Sequence, residues 1–379
     1  MKLTVADIIQ VMASIAPSSL AEKWDNPGLQ VGAKDHPVKT IWVSLDPSRQ
    51  VVDAACKKGV DLLITHHPLI FHPLKSIDFS TPTGSIIKTA INGNLAIFSA
   101  HTNLDSAKGG VNDVLASKIG LKGLTALREN NEPETGKPEM CKLVIYVPVE
   151  HEASFVEAVF QTGAGKIGEY TCCSFRSRGK GTFLPGESSA PFIGAPGEIS
   201  EVDEIRMETL VEKKDLPAVI SHLKKAHPYE TMAYDIYPLS SATTGHGLGR
   251  VGELEKQSRL DDFAREIGRK LGLGSVKIAG QPDRLVKKVA LCAGSGSSML
   301  KQFIMSKADV YVSGDLGHHD ALEVVERNLG LVDIGHFSSE VCVVEALAER
   351  INRILNQSGV DVGVHACSME KNPFNQIDL

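Results

Sequence analysis

The chain has 379 residues, with 40 basic and 46 acidic side chains, a formal charge of −6 and a pI of about 6.1. That length exceeds one ordinary core and points to about two or three domains, and the scatter of both charge signs argues against nucleic acid as an obligate partner. An apolar run of about 18 residues and a basic leader are both lacking, so neither membrane spanning nor secretion is supported and a cytoplasmic place is expected. The cysteines number 7 and form no CxxC pair, which fits a reduced compartment and indicates neither a disulfide framework nor a thiolate zinc site.

From the start of the chain, Thr4 with Asp7 three positions on reads as an N-cap opening an amphipathic helix over 8–16. The segment WDNPGLQVG (24–32) carries a turn signal at Asp25-Asn-Pro-Gly28, read as a turn without ligand contact. Apolar strands are then predicted at 41–45, 62–65 and 96–100, with helices at 48–58 and 110–119. Polar, Pro/Gly-bearing stretches at 129–139 and 240–249 read as linkers. Between them the order is strand 142–148, helix 152–161, strands 170–176 and 181–184, strand 204–211, helix 216–226 and strand 233–238. That order is the ferredoxin-like split βαβ plan. Strands at 289–292, 310–313 and 331–334 and helices at 297–306, 321–328 and 339–356 complete the chain.

Residues 38–65 and 286–313 align without a gap, with Asp61-Leu-Leu-Ile-Thr65 against Asp309-Val-Tyr-Val-Ser313. The expected fold is therefore α/β: two pseudo-symmetric α/β halves, 1–130 and 245–379, form one metal-binding domain, interrupted at 131–244 by a ferredoxin-like α+β domain. Ligands gather beyond the carboxyl ends of strands in such sheets, where His66-His67, His101, Asp315 and His336 all fall.

Adjacent residues in a strand face opposite sides, so His66 and His67 can serve one site only if the chain bends, and Pro68 favours such a bend. His101 with Asp105, and His336 with Glu340, place imidazole and carboxylate on one side of a turn. Nitrogen and oxygen donors without thiolates suit zinc, iron, manganese or nickel. These groups exceed the needs of one four-coordinate ion, and a carboxylate can bridge two ions about 3.5–4 Å apart, so a dinuclear centre is expected. His101 is the candidate catalytic residue, as a general acid/base or as an orienter of Asp105. Asp315, His318 and His319 are read as lining the cavity of a diverged second copy. The loop Ala293-Gly-Ser-Gly-Ser-Ser298 is a weak anion-binding signal, and His227-Pro-Tyr-Glu230 ends a helix through Pro228, a cap at least as readily as a binding segment.

The segments LITHHPLIF, HTNLDSAKGGVNDVLA, DIGHFSSE and WDNPGLQVG resemble the signatures of the GTP cyclohydrolase I type 2 homologues, the Nif-three-like family, and the resemblance spans essentially the whole chain. GAGKIGEYTCCSF and AHPYETMAYDIYPL resemble the PII/CutA-like domain of its longer bacterial members. The resemblance implies two divalent metal ions per chain, zinc foremost, held by His66, His67, Asp105, His336 and Glu340. In the implied pattern Glu340 bridges the ions, His67 and Asp105 complete one, and His66 and His336 complete the other. It also implies a ring-shaped homohexamer and a small-molecule substrate, with GTP suggested by the family name. Two functions are carried forward: a hydrolase acting on a nucleotide through a metal-bridging water, or a hexameric metal-binding assembly or regulatory protein without turnover, whose inserted domain senses a ligand or partner.

Overall fold

The computed structural model describes residues 3–129, 139–239, 245–360 and 362–375. Much of the two linker segments, with the expected boundary at 130/131, lies outside the described residues. The chain divides into two compact units, Met1–Glu132 with Thr243–Leu379, and Pro133–Ala242.

In the first unit the opening helix runs Val5–Ile15, and the Thr4 backbone N–H and hydroxyl donate to the Asp7 carboxylate at 2.8 and 2.7 Å. A five-stranded sheet follows the order Gly28–Val31, Ala96–Ser99, Leu62–Thr65, Thr40–Ser44, Gly363–Ala366. Only the Gly28–Val31 edge strand is antiparallel to its neighbour. A six-stranded sheet follows the order Lys277–Ala279, Gly330–Asp333, Val310–Gly314, Leu285–Ser295, Gly247–Arg259, Lys122–Glu129, with its three middle-left strands parallel.

The internal repeat is reproduced in strand register. Ile41 pairs with Leu62 as Val289 pairs with Val310, and Trp42 with Leu63 as Ala290 with Tyr311. The Asp61 carboxylate accepts from the backbone N–H of Lys39 and Thr40 at 2.8 and 2.9 Å, and Asp309 accepts from Lys287 and Lys288, both at 2.8 Å. Each aspartate thus locks the start of one strand to its neighbour, which fixes where the following strand ends. Both halves feed one core, because Ile41, Val43, Leu62 and Ile64 join Val289, Leu291, Val310 and Val312 in a single buried cluster. The helix Cys342–Gln357 lays Val343, Leu347 and Ile351 into the same cluster, an apolar stripe at helical spacing.

Some elements differ from expectation. The helix predicted over 339–356 is two, His336–Glu340 and Cys342–Gln357, and that over 297–306 begins as a 3-10 turn, Ser297–Met299. The short edge strands Gly28–Val31 and Gly363–Ala366 carry little periodicity and escape sequence reading.

The second unit has the order strand Met140–Pro148, helix Glu152–Gln161, strand Ser174–Phe183, strand Ser200–Glu212, helix Leu216–Ala226, strand Tyr234–Pro238. Its antiparallel sheet runs Ser174–Phe183, Ser200–Glu212, Met140–Pro148, Tyr234–Pro238. The two strands expected at 170–176 and 181–184 are one, its residues paired to Ser200–Glu212 from Ser174 to Phe183. His227 is buried there, donating from Nε2 to the Tyr146 carbonyl at 2.8 Å and accepting at Nδ1 from the Tyr229 N–H at 3.1 Å.

Candidate metal centre

The site lies in the first unit, where strands of both sheets end. His66 and His67 follow Leu62–Thr65, His101 follows Ala96–Ser99, and His336 follows Gly330–Asp333. The chain turns at the His pair, because the Thr65 hydroxyl donates to the His67 carbonyl at 2.7 Å. Both imidazoles then reach one place, their ring centroids 4.9 Å apart.

Each of the four histidines is held through Nδ1. His66 donates to the Ala100 carbonyl at 2.9 Å, His67 to Asp46 at 2.8 Å, His101 to Asp25 at 2.8 Å and His336 to Asp315 at 2.7 Å. Carbonyl and carboxylate oxygens only accept, so these bonds place a proton on Nδ1 and turn Nε2 inward. The inward atoms meet two carboxylates. His66 Nε2 lies 3.6 Å from Asp105 Oδ1 and 3.7 Å from Glu340 Oε1, whereas His67 and His336 Nε2 each lie 3.1 Å from Glu340 Oε2 and 3.4 Å from one another. The geometry therefore groups His66 with Asp105 and His67 with His336 around one Glu340. The resemblance implies the other pairing, His67 with Asp105 and His66 with His336.

His66 Nε2 and Asp105 Oδ1 are buried with no hydrogen-bond partner. Buried polar atoms are normally satisfied, so converging orphaned donors of this kind fit a cation better than they fit one another. Two groups have ligand atoms mutually within 4.8 Å: His66, His67 and His101, and His67, His336 and Glu340. Either could hold a metal ion, and the second shares His67 with the first.

The electrostatics agree. Burial pushes the Glu340 carboxyl up, but His336, His66 and His67 around it hold it well below the usual carboxylate range. Burial raises Asp105 against the opposing pull of His66. Burial opposes protonation of His67, yet Asp46 and Glu340 raise it to about 10, and Glu340 raises His336 to about 9 against burial. Asp25 is lowered to about 2, its burial outweighed by His101 and by Thr102, whose N–H donates at 3.0 Å.

Glycines make room for the carboxylate. A Cβ on Gly294, whose φ is +68°, would sit 2.2 Å from Glu340 Oε1, and the Gly294 N–H donates to Ser339 Oγ at 2.8 Å. Within the glycine-rich loop at 293–298, Gly294 thus makes room for Glu340. A Cβ on Gly314 would lie 2.6 Å from the His336 backbone nitrogen, which explains why the second copy has no counterpart of His66. Asp315, at the position of His67, orients His336 and lines a cleft of about 1170 Å³ with Asp46, His67 and His336. His318 and His319 are exposed at the start of the helix His318–Glu326 and line neither the cleft nor the ligand groups found among the described residues. Asp25 and Asp46 were missed as site residues. Asp25 is more than a turn residue, and the clue available was its place in a motif beside Trp24.

The chain matches the Duf34/NIF3 (NGG1p interacting factor 3) profile over residues 3–373. It belongs to the Duf34/NIF3 family. A GTP cyclohydrolase 1 type 2 homolog of Bacillus subtilis is 39% identical over 367 residues, covering 97% of both chains. A crystal structure of a Bacillus cereus protein related to NIF3 superposes with TM-score 0.70 at 36% identity, covering 100% of both chains. A Staphylococcus aureus protein superposes with TM-score 0.76 at 30% identity, covering 99% of each. All seven cysteines are free, and no helix among the described residues is long and apolar enough to cross a membrane.

Proposed function

We propose that this chain is a metal-dependent hydrolase, with two divalent cations, zinc foremost, acting on a nucleotide or related small molecule. The observation that carries the reading is the set of three imidazoles, His66, His67 and His336, each fixed through Nδ1 and presenting Nε2 to the buried carboxylates of Asp105 and Glu340. In this reading His66 and Asp105 would hold one cation and His67 and His336 the other, with Glu340 between them. Divalent cations there would supply Lewis acidity and activate water for attack. Asp46 and Asp315 orient the ligand imidazoles, which strengthens their donor character. His101, kept in one tautomer by Asp25, has an inward Nε2 able to accept and return a proton, the part of a general acid/base.

GTP is the first substrate to test, because relatives carry the name GTP cyclohydrolase 1 type 2 homolog. Metal-loaded protein is expected to turn over GTP or another member of a nucleotide and phosphoester panel, and His101→Ala to retain metal while losing turnover. Loss of metal in His101→Ala would make it a ligand instead, in keeping with its grouping with His66 and His67. No turnover of any member would leave the metal-binding assembly or regulatory role. The strand order of the second unit supports reading it as a ferredoxin-like, PII/CutA-like domain. Homohexameric assembly in the cytoplasm completes the proposal, and mass by light scattering tests the assembly.

A further inference from the structure

Trp24 is 59% exposed and Phe71 43% exposed, although large aromatic side chains ordinarily bury most of their surface. The two rings lie together, centroids 5.8 Å apart and tilted 55°. Both also face the metal centre: Trp24 is 6.1 Å and Phe71 6.2 Å from the His101 ring, each meeting it edge-on at 73°. His101 in turn lies 5.3 Å from His66 and 5.6 Å from His67. The aromatic pair therefore stands one imidazole away from the converging ligands.

The placement is rigid. Asn26 Nδ2 donates to the Ile70 carbonyl at 2.7 Å, the Ile70 N–H donates to Gln30 Oε1 at 3.1 Å, and Gln30 Nε2 donates to the Asn26 carbonyl at 2.8 Å. These bonds tie the residue before Phe71 to the segment that follows Trp24. Asp25, between Trp24 and Asn26, holds His101. Three consecutive residues thus present a ring, orient a histidine and anchor the second ring. A pre-set apolar wall saves the ordering entropy that a mobile one would lose on binding, and exposed aromatic faces beside a polar centre favour flat, π-faced ligands.

We infer that Trp24 and Phe71 form a stacking wall that seats a planar heteroaromatic ring of the substrate, so that the oxygen-rich part of the same molecule reaches the His66–His67–His101 side of the centre. The rings are too close for a third to enter between them, so the substrate ring stacks on their outer faces. This inference rests on the hydrolase reading and narrows its substrate to compounds that join a flat ring to a metal-seeking group.

Trp24 and Trp42 are the 2 tryptophans of the chain, so in a Trp42→Phe background Trp24 is the sole tryptophan emitter. Metal-loaded protein in that background is titrated with GTP, with guanosine and with inorganic triphosphate, with metal content measured first. GTP and guanosine are expected to quench Trp24 emission and triphosphate to leave it unchanged. In the otherwise native protein, followed by equilibrium dialysis, Trp24→Leu and Phe71→Leu keep an apolar side chain while removing the ring. Each is expected to weaken GTP binding roughly tenfold, with triphosphate binding and metal content unaltered. Unaltered GTP affinity in both variants, or wild-type affinity for GTP no greater than for triphosphate, overturns the inference. So does a fall in mass of Trp24→Leu with GTP affinity intact, which would make this face a contact between copies of the chain. Guanosine lacks a metal-seeking triphosphate, so its quenching reads the wall even in metal-stripped protein. A wild type that binds no metal contradicts the hydrolase reading alone.

Discussion

His67 and His336 enter the centre with protons to lose. In metal-free protein His67 is raised to about 10 by Asp46 and Glu340 against its burial, and His336 to about 9 by Glu340. Both are raised above the unfolded value, so their pairing with Glu340 stabilises fully below about pH 6.5 and is lost as pH rises through 9 to 10. A cation needs the neutral imidazoles, so its binding at about pH 7.5 is expected to release at least the protons of His67 and His336 and to tighten as pH rises. Calorimetry in buffers of different ionisation enthalpy measures this, and binding without proton release would contradict the ligand assignment. Asp25 works in the opposite direction. Its pKa of about 2, against an ordinary 3.8, contributes about 2 kcal/mol that is present above pH 4 and lost as pH falls towards 2. Asp25→Asn is therefore expected to lower stability by about that amount at pH 7 and to converge on wild type near pH 2 in denaturant titrations.

Between residue and fold, glycines and one buried arginine hold the segments that carry the ligands. Gly294→Ala would force a Cβ to 2.2 Å from Glu340 Oε1 at a left-handed φ of +68°. The expected result is a folded protein, destabilised by about 1–3 kcal/mol, with most of its metal lost; wild-type metal content in that variant would refute the packing argument. Arg250 is buried, and its guanidinium pairs with Asp113 at 2.7 and 2.8 Å while donating to the carbonyls of Gly247, Gly249 and Ala107. Ala107 closes the turn that carries Asp105. Asp113→Ala strands that charge and is expected to cost about 3–5 kcal/mol, read by urea denaturation. Much of this scale was legible in the sequence. The gapless repeat corresponds to strand registers that match over the first three pairs, 41–43 with 62–64 and 289–291 with 310–312, and the side chains that lock their starts, Asp61 and Asp309, sit inside it. The Nδ1 partners were not legible: Asp25 is 76 residues from His101, and Asp46 and Asp315 are each 21 from their histidines. Such contacts exist only once distant strand ends converge, and no local periodicity encodes them.

At the scale of the molecule, one core spans both halves of the repeat, and that shared core makes the site asymmetric. The first half brings His66, His67, His101 and Asp105; the second brings His336 and Glu340, with Asp315 in place of a histidine. Asn112 fastens the two together, donating to the Asp105 carbonyl at 3.0 Å and accepting from the Ala293 N–H at 2.8 Å. A centre assembled this way cannot form in either half alone. The most direct test is anomalous diffraction at metal absorption edges on crystals of protein purified without chelator. The account predicts two peaks per chain on either side of Glu340, one bonded by His66 and Asp105 and the other by His67 and His336. Absence of any peak there, or two peaks unchanged in Glu340→Ala, would contradict it.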